Sequence, residues 1–201
     1  MAYVLGFWFA DGYMRQEKSY RVLFSSKDKS ILIEIRRTLT STHPIRLTFK
    51  DNCYEVSFCS RKLYQDLTKL GGLRRKSRIM EFPSVPKRFM PDFIRGYFDG
   101  DGSVFFVKYV RTKDGRPTRE LRTNFTSGSR RFLEVLGETL HDEIGLPFKE
   151  LGVYNEGSSL KLGYGMKDSD TLLHYMYYDN FPIGLRRKAV FVSKIPEYQK
   201  H

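Results

Sequence analysis

Two aspartates close the same short pattern of small and apolar residues. Asp11 ends Gly6-Phe7-Trp8-Phe9-Ala10-Asp11-Gly12, and Asp101 ends Gly96-Tyr97-Phe98-Asp99-Gly100-Asp101-Gly102, ninety positions further on. In each segment two small residues stand four apart, Gly6 with Ala10 and Gly96 with Gly100, which on a helix makes a stripe almost without side chain. Glycine inside a helix costs about 0.5–1 kcal/mol relative to alanine, and close pairing of the two helices supplies the compensating reason. Pairing would set Asp11 and Asp101 side by side at the C-terminal helix ends. There each faces the negative end of its own helix dipole and a like charge across the pair. A hard divalent cation between the carboxylates removes that conflict, and magnesium is the usual ion for such oxygen ligands. Such a site polarises a phosphodiester and activates water. A dinucleotide-binding glycine loop is the competing reading, but its glycines open a helix after a strand, whereas these lie inside an apolar segment.

The repeat extends beyond the aspartates. Phe24-Ser25-Ser26 returns as Phe125-Thr126-Ser127, and Gly72-Leu73-Arg74-Arg75-Lys76 returns as Gly184-Leu185-Arg186-Arg187-Lys188, the offset growing from 90 to 101 to 112. Order and chemistry repeating together indicate duplication, with insertions in the second copy. One insertion lies between Ser103 and Asn124, where Lys113-Asp114-Gly115-Arg116-Pro117 reads as a turn between two apolar-rich runs. The division predicted is an N-terminal half 1–82, a linker 83–92 whose three prolines disfavour helix, and a C-terminal half 93–201. Within each half the apolar helix ends at the glycine after the aspartate and leads into a β-hairpin. An amphipathic helix follows, carrying Ile31, Ile35 and Leu39 in one half and Leu133, Leu136 and Leu140 in the other. A second hairpin and a final helix lead to the basic Gly-Leu-Arg-Arg-Lys segment. The fold class expected is α+β, two α-β-β-α-β-β-α halves around a central helix pair.

Leu5–Gly12 and Ile94–Gly102 resemble the two signature motifs of double-motif LAGLIDADG homing endonucleases, and the order and spacing of the motifs extend the resemblance over essentially the whole chain. The resemblance implies a monomer whose two saddle-like antiparallel sheets lie along double-stranded DNA. It implies a metal-dependent endonuclease that makes a double-strand break at a long asymmetric target, with Mg2+ as cofactor and Mn2+ able to substitute. Asp11 and Asp101, with Ala10 and Gly100 before them, carry over as the metal site. The first acidic position of the motif is Asp99 in the second copy but Phe9 in the first, which loses a polar group near the helix end. Lys76 and Lys188 match basic groups that lie near the scissile phosphates in that family. The other reading of Arg74, Arg75, Arg186, Arg187 and these lysines is a pair of plain phosphate clamps. A cleavage-inactive relative, acting as an RNA maturase or a DNA-binding regulator, is the alternative that both aspartates argue against. A PD-(D/E)xK-type nuclease built on Asp92 and Glu120-Leu121-Arg122 lacks the usual lysine and leaves the duplication unexplained.

If the apolar face of each sheet packs on its helices, the alternate residues form a reading face. Those are Arg46, Thr48, Lys50, Glu55, Ser57 and Cys59 in the first half, and Arg122, Asn124, Thr126 and Lys161 in the second, with Arg111 and Lys113 near the long hairpin tip. Mixed polar types suit base edges, Arg and Lys matching guanine acceptors and Asn pairing with adenine, although such positions also describe the solvated side of any sheet. Differences between the halves predict an asymmetric site. The 201 residues carry 35 Lys+Arg against 23 Asp+Glu, a formal charge of +12 that points to nucleic acid before any other partner. No apolar run is long enough for a membrane span and no signal peptide is evident, so an intracellular location is expected. Two cysteines, Cys53 in a loop and Cys59 in a strand, make no disulfide framework, and no pair of histidines accompanies them for zinc. The aromatic cluster Tyr175, Tyr177, Tyr178 and Phe181 reads as packing rather than as a base-stacking platform.

Overall fold

Ala2–Asp11 carries no charged face, and a helix apolar on all sides is stable only when buried. It forms α1, in which Tyr3, Phe7, Trp8 and Phe9 are at most 1% exposed. Its counterpart is α4 (Met90–Asp101), which opens with Pro91 in the first turn, where a missing N–H costs no hydrogen bond. The computed structural model describes residues 1–16, 19–48, 52–73, 78–154 and 157–198, and in it α1 and α4 pair as the main contact between the halves. A β-carbon on Gly6 would stand 2.0 Å from the carbonyl oxygen of Phe93, and one on Gly96 would stand 2.1 Å from that of Tyr3. The contact is reciprocal, since Tyr3 and Phe93 are themselves equivalent positions of the repeat.

Each central helix runs directly into an antiparallel sheet. The first sheet contains β1 (Gly12–Gln16), β2 (Tyr20–Ser26), β3 (Ile45–Thr48) and β4 (Cys53–Cys59), in the order β1-β2-β4-β3. The second contains β5 (Gly102–Val110), β6 (Pro117–Ser127), β7 (Gly152–Tyr154) and β8 (Ser159–Tyr164), in the order β5-β6-β8-β7. Helices α2 (Lys29–Thr38), α3 (Arg61–Lys69), α5 (Arg130–Ile144) and α6 (Met166–Met176) stand at the predicted places. Ser60 caps α3 by accepting from Leu63 N–H, Ser129 caps α5 by accepting from Phe132 N–H, and Gly145 ends α5 in the left-handed conformation (φ 67°). Gly12 and Gly102 end α1 and α4 as expected, but in an extended rather than a left-handed conformation. What demands glycine is the aromatic ring one turn back: a β-carbon would lie 2.2 Å from the Trp8 ring in one half and 2.2 Å from the Phe98 ring in the other.

Three details depart from expectation. A seventh α-helix, α7 (Arg186–Tyr198), begins inside the second basic segment, eight residues or more after α6 has ended. Three cations in a first turn oppose the helix dipole, which hid this helix in the sequence. The proline-rich linker is only partly extended, because a 3₁₀ turn at Lys87–Phe89 and the start of α4 fall within it. Met80 and Phe82, just before it, already pack on the second half. The Ser129 hydroxyl donates to the Met80 carbonyl (2.6 Å), and the Phe82 ring meets Phe93 and Phe132, each at 5.3 Å between centroids. Cys53 lies in β4 with Cys59, not in a loop. Among the described residues no helix is long and apolar enough to cross a membrane.

One buried cation ties α4 to the end of the chain. Arg95 is fully buried; its guanidinium donates to the carbonyls of Met176 (2.8 Å) and Ile183 (2.9 Å) and to Asp92 (2.6 Å). It also lies over the rings of Tyr3, Tyr178 and Phe181 at 5.2–5.4 Å. Of the aromatic group singled out in the sequence, Tyr178 and Phe181 pack on this arginine and Tyr177 packs on Phe181 and Phe98. Replacing it by Met strands those buried carbonyls, so Arg95→Met should lower unfolding free energy by about 3–5 kcal/mol, as breaking one side of a buried ionic network does. Urea denaturation of both proteins measures this; a loss below about 1 kcal/mol would leave Arg95 a surface-like residue.

Candidate nucleic-acid cleavage site

The joined C-terminal ends of α1 and α4 gather Ala10, Asp11, Gly100 and Asp101. A β-carbon on Gly100 would meet the Ala10 β-carbon at 2.4 Å and the Asp11 carboxylate at 3.2 Å, so the Asp11 side chain reaches across the helix pair. Both carboxylates also act on the same two neighbours. Burial, then the charges of Asp101 and Asp11, hold the Tyr97 phenol well above its usual pKa. The two carboxylates likewise pull on Lys188 from the other side. Two carboxylates with helix-end carbonyls around them are a hard, all-oxygen donor set of the kind that suits magnesium or manganese rather than zinc. Among the described residues no cluster of three or more His, Cys, Asp and Glu side chains occurs, so phosphate oxygens and water would complete any coordination here.

The second acidic residue of α4 does something else. Asp99 is 2% exposed and accepts from the Tyr3 hydroxyl (2.7 Å), the Tyr177 hydroxyl (2.5 Å) and the Leu185 N–H (2.7 Å). It binds α1, the end of α6 and the approach to α7 to one carboxylate. At the equivalent place in the other half both partners are apolar: Phe9 stands for Asp99 and Phe93 for Tyr3, and their rings meet edge to face at 5.9 Å. The polar group missing from the first motif is therefore replaced as a pair, and Phe9 joins the core against Phe132.

Lys188 is buried against the end of α4. It is 4% exposed, and its ammonium donates to the carbonyls of Phe98 (2.5 Å), Asp99 (3.0 Å) and Gly102 (2.7 Å). It is the cation that satisfies the C-terminal carbonyls of α4. Burial lowers its pKa from 10.5 to about 8, with Arg187 pushing the same way and Asp99, Asp11 and Asp101 opposing. Unfolded Lys188 keeps its proton where the folded residue has lost it, so this group's penalty is full below about pH 8 and is relieved as pH rises toward 10.5. Lys188→Met should cost about 1–3 kcal/mol at neutral pH by stranding the carbonyls. It should also abolish the gain in stability that the parent shows between about pH 8 and pH 9.5, read by urea denaturation at each pH.

The remaining predicted residues divide by place. Arg46, Thr48, Glu55, Ser57 and Cys59 share one face of the first sheet, opposite the buried Val56 and Phe58. Arg122, Asn124, Thr126 and Lys161 share the corresponding face of the second, where Asn124 is nearly buried and Arg122 is held by Glu120 at 3.1 Å. Arg111 and Lys113 sit at the β5–β6 tip, Arg111 3.5 Å from Asp114. Arg187 pairs with Asp28 of the first half (2.8 Å) and borders a hollow of about 350 Å³ beside Asp11 that Ser25, Lys27 and Cys53 also line. Arg186 lies over the Phe181 ring (5.0 Å) rather than beside Asp11. Lys50, Arg74, Arg75 and Lys76 lie outside the described residues. Sequence reading missed Tyr13, Arg15, Arg21 and Ser25 on the first sheet and Ser103, Phe105, Val107 and Tyr109 on the second. Alternation along β1 and β5 from Gly12 and Gly102 would have found them. Tyr13 donates to Glu55 (2.7 Å), and burial together with that carboxylate raises its pKa to about 12.

Two such halves, joined by a glycine-paired helix couple that ends in two aspartates, constitute the LAGLIDADG homing endonuclease fold. Solved structures with this architecture include the meganuclease I-AabMI bound to uncleaved DNA (TM-score 0.68, 14% identity, 98% of this chain and 89% of that one). They also include I-SmaMI bound to uncleaved DNA target with calcium ions (0.68, 13%, 99% and 91%) and mesophilic variants of I-DmoI (0.64, 18%, 94% and 95%). No family model matches the chain. The DNA polymerase II large subunit of Thermococcus kodakarensis is 28% identical over 106 residues, half of this chain; the match spans about 6% of that much longer protein.

Proposed function

We propose that this chain is a site-specific, divalent-metal-dependent endonuclease that cuts both strands of a long, asymmetric DNA duplex as a monomer with internal pseudo-twofold symmetry. The observation that carries the reading is the convergence of Asp11 and Asp101 at the end of the α1–α4 pair, where each helix runs directly into a sheet that gathers polar residues on one face. Neighbouring structures of this fold were solved with DNA, one of them with manganese as well, which supports duplex DNA as the partner and oxygen-ligated divalent metal as the cofactor. Asp11 and Asp101 would hold the metal at the point where Ala10 and Gly100 let the two helix ends meet, and the metal would supply phosphodiester polarisation and an activated water. The chain's own residues do the rest. Lys188 secures the end of α4 so that Asp101 is held in place, and Asp99 fixes α4 against α1. Lys27 and Arg187, bordering the hollow beside Asp11, are cations in reach of a phosphate backbone.

A cleavage selection tests the reading: the purified chain is incubated with a large pool of randomised duplex DNA in magnesium, manganese or EDTA, and new ends are sequenced. One long asymmetric consensus, cut at a fixed place and only with metal, is the expected result. DNA retained but never cut, even with manganese, would assign the fold to binding or to RNA splicing instead.

A further inference from the structure

The two sheets differ in kind on the face that would meet DNA. Along β5 the outward positions are Ser103, Phe105, Val107 and Tyr109, in register with Asn124, Arg122, Glu120 and Thr118 of β6. Phe105 is 36% exposed and Tyr109 43%, whereas on the opposite face of the same strand Phe106 stacks on Phe191 of α7 at 5.6 Å. Phe105 borders a hollow of about 420 Å³ whose other walls include Arg122, Asn124 and Lys161. The equivalent strand of the first sheet is polar. Gly12 pairs with Phe24 as Gly102 pairs with Phe125, so Arg15 opposite Arg21 occupies the place of Phe105 opposite Arg122. Among the described residues of the first sheet's outer face, Leu23 is only 4% exposed, and its neighbour Tyr13 has its hydroxyl tied to Glu55 (2.7 Å) and its ring under Arg15 (5.3 Å).

An exposed ring flanked by cations and an amide matches a major-groove edge where the methyl of thymine stands beside hydrogen-bonding groups. Ser, Asn and Arg alone cannot distinguish that methyl from its absence. We infer that Phe105, backed by Val107 and Tyr109, reads thymine methyl groups in the half-site under the second sheet, while the first sheet reads its half-site through polar contacts. The inference rests on the endonuclease reading above and adds the base chemistry that one half of the target must present.

The test uses the cleavage consensus and replaces each thymine in turn by deoxyuridine, which removes only the methyl. Binding is measured with calcium in place of magnesium. Deoxyuridine on one side of the cut should weaken binding about fourfold at one or more positions, the worth of a methyl group returned to water. The same substitutions on the other side should have no effect. Phe105→Ala, an exposed position whose thermal midpoint should match the parent's, should bind thymine and deoxyuridine sites equally. The inference falls if neither side responds, if both respond alike, if the consensus has no thymine on either strand of one half-site, or if Phe105→Ala keeps the preference. Each of these outcomes leaves cleavage intact and the endonuclease reading standing, whereas a chain that binds no duplex at all removes both.

Discussion

Asp101→Asn should leave DNA binding within about twofold of the parent and reduce cleavage of the selected site by about 10²–10³-fold or more, the scale of losing one electrostatic stabiliser from a reacting centre. Asparagine keeps the shape of the side chain and its contact with the helix end. It removes the charge that a divalent cation needs, and one carboxylate then remains where two converged. The same change should raise stability slightly, by about 0.3–1 kcal/mol, because a negative charge at a helix C-terminus and a like charge across the pair are both relieved. Loss of activity with a gain in stability distinguishes a functional carboxylate from a structural one. Gel-shift titration in calcium, single-turnover cleavage in magnesium and urea denaturation measure the three quantities. Cleavage within tenfold of the parent would remove Asp101 from the reaction.

Gly96→Ala should be strongly destabilising. The added β-carbon would lie 2.1 Å from the Tyr3 carbonyl oxygen and 2.8 Å from the Phe7 nitrogen, and backbone atoms of a buried helix cannot step aside as a flexible side chain can. The helices must part, opening the aromatic core around them. Alanine's better helix propensity returns about 0.5–1 kcal/mol, which does not offset an overpacking cost of about 3 kcal/mol or more at so short a contact. Gly6→Ala, 2.0 Å from the Phe93 carbonyl, should behave alike. Gly137→Ala in α5 is the control: its nearest neighbours are leucine methyls at 3.8 Å, so the same exchange should stabilise by about 0.5–1 kcal/mol. Chemical denaturation of the three variants decides the matter, and equal effects at Gly96 and Gly137 would mean that the helix pair is looser than its geometry indicates.

The double motif was legible because its residues carry their meaning locally. Small residues four apart inside an apolar helix, Gly6 with Ala10 and Gly96 with Gly100, each run closed by an aspartate, are costly in isolation, and their repetition ninety positions later identified both the duplication and the helix pair. Alternation along β4, β6 and β8 likewise placed polar residues on one face, since a period of two is a property of the strand alone. Other residues gave no such signal. Arg95, inside the second motif, has three acceptors that include carbonyls 81 and 88 positions away, which only the packed chain brings around it. Lys188 reads as a basic group near phosphate, and the partners its ammonium finds are carbonyls at the end of α4, 86 to 90 positions earlier in the chain.

Sequence by itself determined the two-half α+β plan, the helix pair and the two aspartates at its end, because each follows from local periodicity, a steric demand or a repeated motif. Tertiary structure alone decided that Asp99 and Lys188 are internal ties, that α7 covers one face of β5, and that Phe105 is left exposed beside Arg122. Those outcomes depend on which distant segments meet, and burial, hydrogen-bond pairing and charge acquire their values only after that meeting has occurred.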